Sequence, residues 1–417
     1  MAGDPAPHII ICGAGLAGLT LAHILKKHSI PFHLYERDAA TGFRAQGYRI
    51  YLHGPGIDAL RYALSPKQFA LFDQTCAKIS YGWVQEADPM TAEKAESHIW
   101  LGNAPDSKDP EPEPKGGHHP PPLRDRRTAD RAVLRDVLLV GLEDHVSYGR
   151  EMIQYETDGS SVTVHFKDGS SATGSMLVGA EGVGSPVRSQ LLASHRPKYT
   201  GCLVFYGKSK WTEDLQQTVG DRMLGGMSFI RDQKTEVPSF NLIEPIHFTK
   251  NSRPDHPMLP DDYVYWISVV QEKHLNMKQD QLRVIKSEDA AKMVIDLHKH
   301  WHPSLRAVYE AQDVSQTSVL VLRCSDPSIP DWEPSSTVTV LGDSIHAMPP
   351  TGASGAVTAL RDAALLGKLI VEKGAGQDTI RAYEEEMRGY ARETVDMSVK
   401  AGRFSFGYGP PESWQDV

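Results

Sequence analysis

The chain has 417 residues, 40% of them hydrophobic and 23% charged, with a formal net charge of -9 at pH 7. That length supports two or three domains with ordinary cores, and the acidic balance argues against a phosphate-backbone binder, so no nucleic-acid partner is expected. Cys12, Cys76, Cys202 and Cys324 stand far apart with no C-x-x-C pair, which excludes a zinc or disulfide framework and reads as core thiols in a reducing compartment.

The first eight residues, MAGDPAPH, lack the basic start and long apolar stretch of a signal peptide. No run approaches the roughly 18 apolar residues of a spanning helix, so a cytoplasmic protein without a membrane span is expected. Residues 9–18, IIICGAGLAG, break an apolar strand into Gly13, Gly15 and Gly18 at G-x-G-x-x-G spacing before a helix, and a second apolar run ends at Glu36. Gly13 permits the tight turn, Gly15 lets the backbone approach a pyrophosphate, and Gly18 packs helix on strand. The helix start offers free N–H groups and a positive dipole. Glu36 suits the hydroxyls of a ribose and repels a 2′-phosphate, which leaves FAD and NAD open at this turn and disfavours NADP.

A polar loop follows at 41–47, where Arg44 and Gln46 face either a cofactor or solvent, and 56–64 has the apolar face of a short helix. Residues 103–122 are too rich in proline and charge to form a packed element, and His118 and His119 within them have no third ligand at a fixed offset, so no metal is expected. Residues 128–142 read as a helix with Thr128 as N-cap and Arg131 in its first turns. Alternating runs at 148–156, 161–166 and 175–178, joined through Asp158-Gly159 and Asp168-Gly169, read as a small antiparallel meander.

At 177–188 an apolar strand again ends in glycines and an acid, Gly179-Ala180-Glu181-Gly182, ahead of a helix. Five strand-like runs between 201 and 325, with a helical segment at 287–309, read as a mostly antiparallel sheet domain that builds a pocket. Tyr206, Arg231, Asn241 and Trp266 lie in those runs, either facing the pocket or packing the sheet. A third apolar strand, 338–341, ends in Gly342-Asp343, and a helix free of proline begins after Gly355. Residues 379–400 have a charged helix pattern, and the aromatic, glycine-rich 404–411 reads as an end that packs on the body.

Taken in order, the G-x-G-x-x-G turn with Glu36, the Gly179–Gly182 segment with Ser185 and Arg188, and Gly342-Asp343 with His346, Pro350, Gly355 and Asp362 resemble the class A FAD-dependent aromatic monooxygenases. Fungal salicylate hydroxylase-like and zeaxanthin epoxidase-like members are the most similar in pattern. The resemblance implies an α/β fold of the p-hydroxybenzoate hydroxylase type. A Rossmann-like FAD-binding domain would comprise 1–78, 126–196 and 319–375, an inserted, mostly antiparallel β-sheet substrate domain 79–125 and 197–318, and the C-terminal helix and tail 376–417.

By that resemblance Gly13, Gly15, Ala17, Gly18, Glu36 and Arg37 take the ADP half of FAD, Arg131 lies along the dinucleotide, Asp343 beside Gly342 binds the ribityl-pyrophosphate part, and Glu181 and Gly182 belong to a cofactor-binding motif with a nicotinamide-linked role. Arg44, Gln46, Pro350, Gly352, Gly355 and Ala356 surround the flavin ring, while Tyr206 and Arg231 are substrate-side candidates. His346 either touches the ribityl chain or satisfies its own loop. Three positions depart from the family pattern: Glu181 for an aspartate, Ala353 for a glycine and Val357 for an asparagine.

The implied reaction uses NADPH, or NADH, and O2 through a flavin C4a-hydroperoxide to hydroxylate or epoxidise an electron-rich aromatic, indole or alkene substrate of secondary metabolism, in a monomer or homodimer. The alternatives are a flavin-dependent oxidase or dehydrogenase on the same fold and a non-catalytic flavin-binding protein.

Overall fold

The computed structural model describes residues 8–40, 48–80, 84–95, 125–250, 253–275, 277, 281 and 285–416. Arg44 and Gln46, and the proline-rich stretch with His118 and His119, lie outside the described residues.

Short, uninterrupted apolar runs make strands buried on both faces, and here they form a five-stranded parallel sheet. Its order is Val338–Val340, Met176–Gly179, Ile9–Cys12, Phe32–Tyr35, Val146–Ser147. The chain leaves Ile9–Cys12 toward Phe32–Tyr35 on one side and returns to Met176–Gly179 on the other, so the strand order reverses beside the glycine turn. In open α/β sheets that reversal opens a crevice beyond the carboxyl ends of the strands. The Leu16–Lys27 and Gly355–Lys373 helices pack together closely enough that a Cβ on Gly367 would stand 2.8 Å from Ile24.

A second, seven-stranded sheet runs Ser318–Cys324, Lys198–Lys210, Tyr263–Gln271, Ser239–Ile246, Ser228–Asp232, Gln85–Ala87, Lys94–Ala95. Ser318–Cys324 is an edge strand of this sheet, paired with Lys198–Lys210, although it follows the boundary drawn at 318. One face carries Leu203, Phe205, Ile230, Ile243 and Trp266 into a core closed by the Glu213–Val219, Ser287–Leu297 and Pro303–Glu310 helices. The opposite face carries Val204, Tyr206, Phe240, Tyr265 and Ile267 toward the parallel-sheet body. The expected meander forms a separate three-stranded sheet of Met152–Thr157, Val162–Phe166 and Ser171–Gly174, but the run expected as its third strand, 175–178, belongs instead to Met176–Gly179 of the parallel sheet.

Three further elements differ from the expectation. Residues 127–130 are a strand, Arg127–Asp130, hydrogen-bonded to Arg49–Leu52; the helix is Arg131–Leu139, and its cap is the Asp130 carboxylate, which accepts from Ala132 and Val133, not Thr128. The segment at 287–309 breaks into Ser287–Leu297 and Pro303–Glu310, because the proline cannot continue a helix but starts one well. The last helix, Gln377–Phe406, runs into the aromatic stretch, and the tail then packs on the body: Trp414 is buried and Gln415 pairs with Tyr199. All four cysteines are buried and free.

Candidate functional site

Four neighbouring strands deliver their ends to one edge: Val338–Val340 to Asp343, Met176–Gly179 to Glu181, Ile9–Cys12 to Gly13, and Phe32–Tyr35 to Glu36. At the usual strand spacing this row spans about 14 Å. The three glycines of the turn have distinct surroundings. Gly13 has φ +108°, and a Cβ there would stand 2.3 Å from the Ala180 carbonyl; one on Gly18 would stand 2.1 Å from the Gly13 carbonyl. A Cβ on Gly15 would meet nothing within 4 Å. Gly13 and Gly18 are therefore required by the protein itself, whereas Gly15 keeps space open over the start of the Leu16–Lys27 helix. That helix start has no side-chain cap and no acid in its first turn, an arrangement that leaves donors and dipole for an anion.

Glu36, 9% exposed, accepts from Ala14 N at 2.9 Å and from Asp38 N at 2.9 Å, so its carboxylate is held at the turn. Arg37 beside it is exposed, and Ala17 is buried in the first turn of the helix. Arg131 begins its helix with its guanidinium 5.3 Å from the Tyr48 ring centre. Sequence reasoning missed Arg135, one turn further on, whose Nε donates to the Ala14 carbonyl at 2.9 Å and so braces the glycine turn. The i to i+4 spacing on one helix face was its only signal.

Asp343 is exposed at its side chain, yet burial within the surrounding protein raises its carboxyl pKa, with His346 and Arg131 pulling the other way. An acid open to solvent but ringed by protein belongs to the floor of a crevice. Among the described residues nothing hydrogen-bonds its carboxylate. Asp362 behind it is fully buried and accepts from Gly342 N at 2.7 Å, His346 Nε2 at 2.6 Å and Tyr390 OH at 2.6 Å. His346 is thus a brace of the Gly-Asp turn and does not reach the crevice; burial opposes its charge most, but Asp362, with help from Asp343, outweighs it in sum and its pKa is raised.

Gly182 N donates to Ser344 Oγ at 3.0 Å, joining the second and third strand ends. Burial pushes the Glu181 carboxyl from 4.5 up to about 7, although Ser185 donates to it at 2.6 Å. Between those values the unfolded chain has released a proton that the folded chain keeps, so this group's stabilising contribution is full below about 4.5 and falls as pH rises toward 7. The FAD-free chain is expected to lose thermal stability across that window, and Glu181→Gln to lose less of it. Identical melting-temperature differences for both chains between about pH 5 and 7.5 would refute the shift.

The Pro350–Gly352 turn is tied to the last helix by Thr351 Oγ1, which donates to the Ser398 carbonyl at 2.7 Å. Ala353 ends that turn at φ +49° and ψ +25°, the left-handed region, which a glycine, the residue that the resemblance expects there, adopts without a Cβ penalty. Ala353→Gly should relieve this strain and stabilise the chain by up to about 1 kcal/mol, read from the denaturant midpoint. The Gly355–Lys373 helix starts without a side-chain cap, beside Ala356. Val357, where the resemblance expects an asparagine, is buried against Gly56.

On the second sheet, Tyr206 faces the parallel-sheet body, with its ring 5.6 Å from Tyr48, and Arg231 lies on the same face. Asn241 and Trp266 point the other way: Asn241 accepts from Tyr309 OH at 3.1 Å and Trp266 donates to Ser209 Oγ at 3.1 Å. Both therefore serve the far core. Among the described residues no group of three or more His, Cys, Asp or Glu is placed to hold a metal, and no helix is long and apolar enough to cross a membrane.

The turn, the open cradle at Gly15, the held Glu36 and the unpaired Asp343 together fit an extended dinucleotide such as FAD. Comparison with known proteins agrees. Residues 314–398 match an FAD binding domain and residues 11–78 an NAD(P)-binding Rossmann-like domain. A dual O-methyltransferase/FAD-dependent monooxygenase of Cercospora beticola is 35% identical over 96% of this chain and 46% of that protein. The chain spans about half the length of such dual relatives. An FAD-dependent monooxygenase of Trichoderma harzianum is 25% identical over 95% of this chain and 92% of its own length. The fold matches Klebsiella pneumoniae HpxO complexed with FAD and uric acid at a TM-score of 0.72, with 18% identity, covering 96% of this chain and 89% of that one. By its domain matches and its relatives the chain is similar to FAD-dependent monooxygenases, on a fold shared with HpxO.

Proposed function

We propose that the chain is an FAD-dependent monooxygenase that uses NAD(P)H and O2 to hydroxylate or epoxidise an electron-rich aromatic, indole or alkene compound. The observation that carries this reading is the convergence of Gly13, Glu36, Glu181 and Asp343 on one crevice edge. Bound FAD supplies the oxygen-activating redox chemistry. The chain's own residues bind and orient: Glu36 takes the adenosine ribose, the glycine turn and its helix dipole take the diphosphate, and Asp343 takes the ribityl end. Pro350, Gly352, Gly355 and Ala356 shape the ring's surroundings, and the sheet face bearing Tyr206 and Arg231 receives substrate and excludes water.

Relatives named for a monooxygenase together with an O-methyltransferase favour hydroxylation of a ring, since a new phenol is what an O-methyltransferase consumes. The test is NAD(P)H-driven oxygen uptake by the purified FAD-loaded chain, with one oxygen atom recovered in an aromatic product. Stoichiometric hydrogen peroxide with no oxygenated product for any electron-rich aromatic would point to an oxidase. A colourless chain that takes up no FAD would end the reading.

A further inference from the structure

Strand register places the side chains of the second sheet in rows. Phe229, Leu242, Ile267 and Tyr206 stand opposite one another on four adjacent strands, on the face toward the parallel-sheet body. This apolar strip is about 14 Å long at ordinary strand spacing, enough for two or three fused rings. On one side of it the next row, Glu244, Tyr265 and Lys208, is locked to the dinucleotide-binding body: Glu244 pairs with Arg49 at 2.7 Å and Lys208 with Asp130 at 2.5 Å.

The row on the other side begins with Arg231 and Phe240, where the last helix ends. The Arg231 guanidinium lies 5.2 Å from the Phe240 ring centre and 5.6 Å from that of Phe404, and Phe240 packs on Phe406. Its ionic neighbour is Glu86, at 3.8 Å, too far for a hydrogen bond. Among the described residues no acceptor lies within hydrogen-bond reach of the guanidinium. Phe404, 81% exposed, is an aromatic with little of its surface covered, standing over an arginine whose planar donors are open. A planar cation over two aromatic rings, with free donors at the end of an apolar strip, is built to take a planar anion bidentately.

We infer that Arg231 is a specificity-determining residue that receives the anionic edge, a carboxylate or phenolate, of a fused-ring aromatic lying along the Phe229–Tyr206 row, with Phe404 as the removable side of the clamp. This rests on the monooxygenase reading of the site. Glu86 competes with the substrate anion for the same guanidinium.

The test is calorimetric titration of the FAD-loaded chain with 2-naphthoate and with its neutral analogue 2-naphthamide. Naphthoate should bind about tenfold or more tightly than the amide, the scale of one charge-assisted contact. Arg231→Gln should erase that preference while leaving FAD content and amide affinity within about twofold, and Arg231→Lys should keep part of it. Glu86→Gln should tighten naphthoate, and Phe404→Ala should weaken both ligands. No naphthoate binding, equal affinities in the unaltered chain, or a preference that survives Arg231→Gln would overturn the inference and leave the monooxygenase reading standing. Failure to take up FAD or to oxidise NAD(P)H would instead remove that reading.

Discussion

Gly15→Ala is expected to leave the fold intact, with a melting temperature close to that of the unaltered chain, and to weaken FAD binding about a hundredfold or more. A methyl at Gly15 touches no protein atom within 4 Å and the backbone there has negative φ, so the native state has no reason to object. On the proposed reading the same methyl would occupy the space through which the diphosphate approaches the helix start. Losing two charge-assisted contacts of roughly 1.5–3 kcal/mol each accounts for the drop. Gly13→Ala and Gly18→Ala should behave oppositely. Each drives a Cβ to within 2.3 Å of a backbone carbonyl, at Gly13 with a left-handed φ besides, and the cost of several kcal/mol is comparable to the whole stability of a domain. Thermal melts and FAD titration of the three variants separate the roles. A Gly15→Ala chain that binds FAD normally would place the diphosphate elsewhere.

The same contrast explains what was legible in the sequence. Turn and strand ends are local patterns, written within twenty or thirty residues, and the structure shows them as the spacing predicts; in the meander the third strand is Ser171–Gly174 in place of the run at 175–178. Roles that depend on a distant partner were not legible. Asp130 caps its helix and Thr128 does not, because Arg127–Asp130 is drawn into pairing with Arg49–Leu52, some 80 residues earlier. Arg135 is defined by a carbonyl 121 residues away. For Asn241 and Trp266 the obstacle was parity: Tyr263–Gln271 is buried on both faces for nearly its whole length, so polar alternation, which marks which face is which, is erased. Arg231 could be nominated from its strand, but its clamp depends on Phe404, which belongs to the far end of the chain.

Asp343 and Asp362, both from the third motif, should give opposite results when replaced. Asp362→Ala removes the acceptor for three buried donors, Gly342 N, the His346 ring and Tyr390 OH, and leaves a histidine whose raised pKa depended on that carboxylate. Breaking one side of such a buried network costs about 3–5 kcal/mol. Urea unfolding should register that loss, with FAD affinity falling as a consequence of a displaced Gly-Asp turn. Asp343→Ala removes a carboxylate that no described protein group hydrogen-bonds and whose charge the site disfavours. Its stability should hold within about 1 kcal/mol, or rise, because the surrounding protein disfavours that charge. FAD affinity should nevertheless drop by roughly tenfold or more, the value of one charge-assisted contact to the ribityl chain. Unchanged FAD affinity in Asp343→Ala would remove the residue from the site, while an undiminished unfolding midpoint in Asp362→Ala would mean that the turn is held by the strand ladder alone.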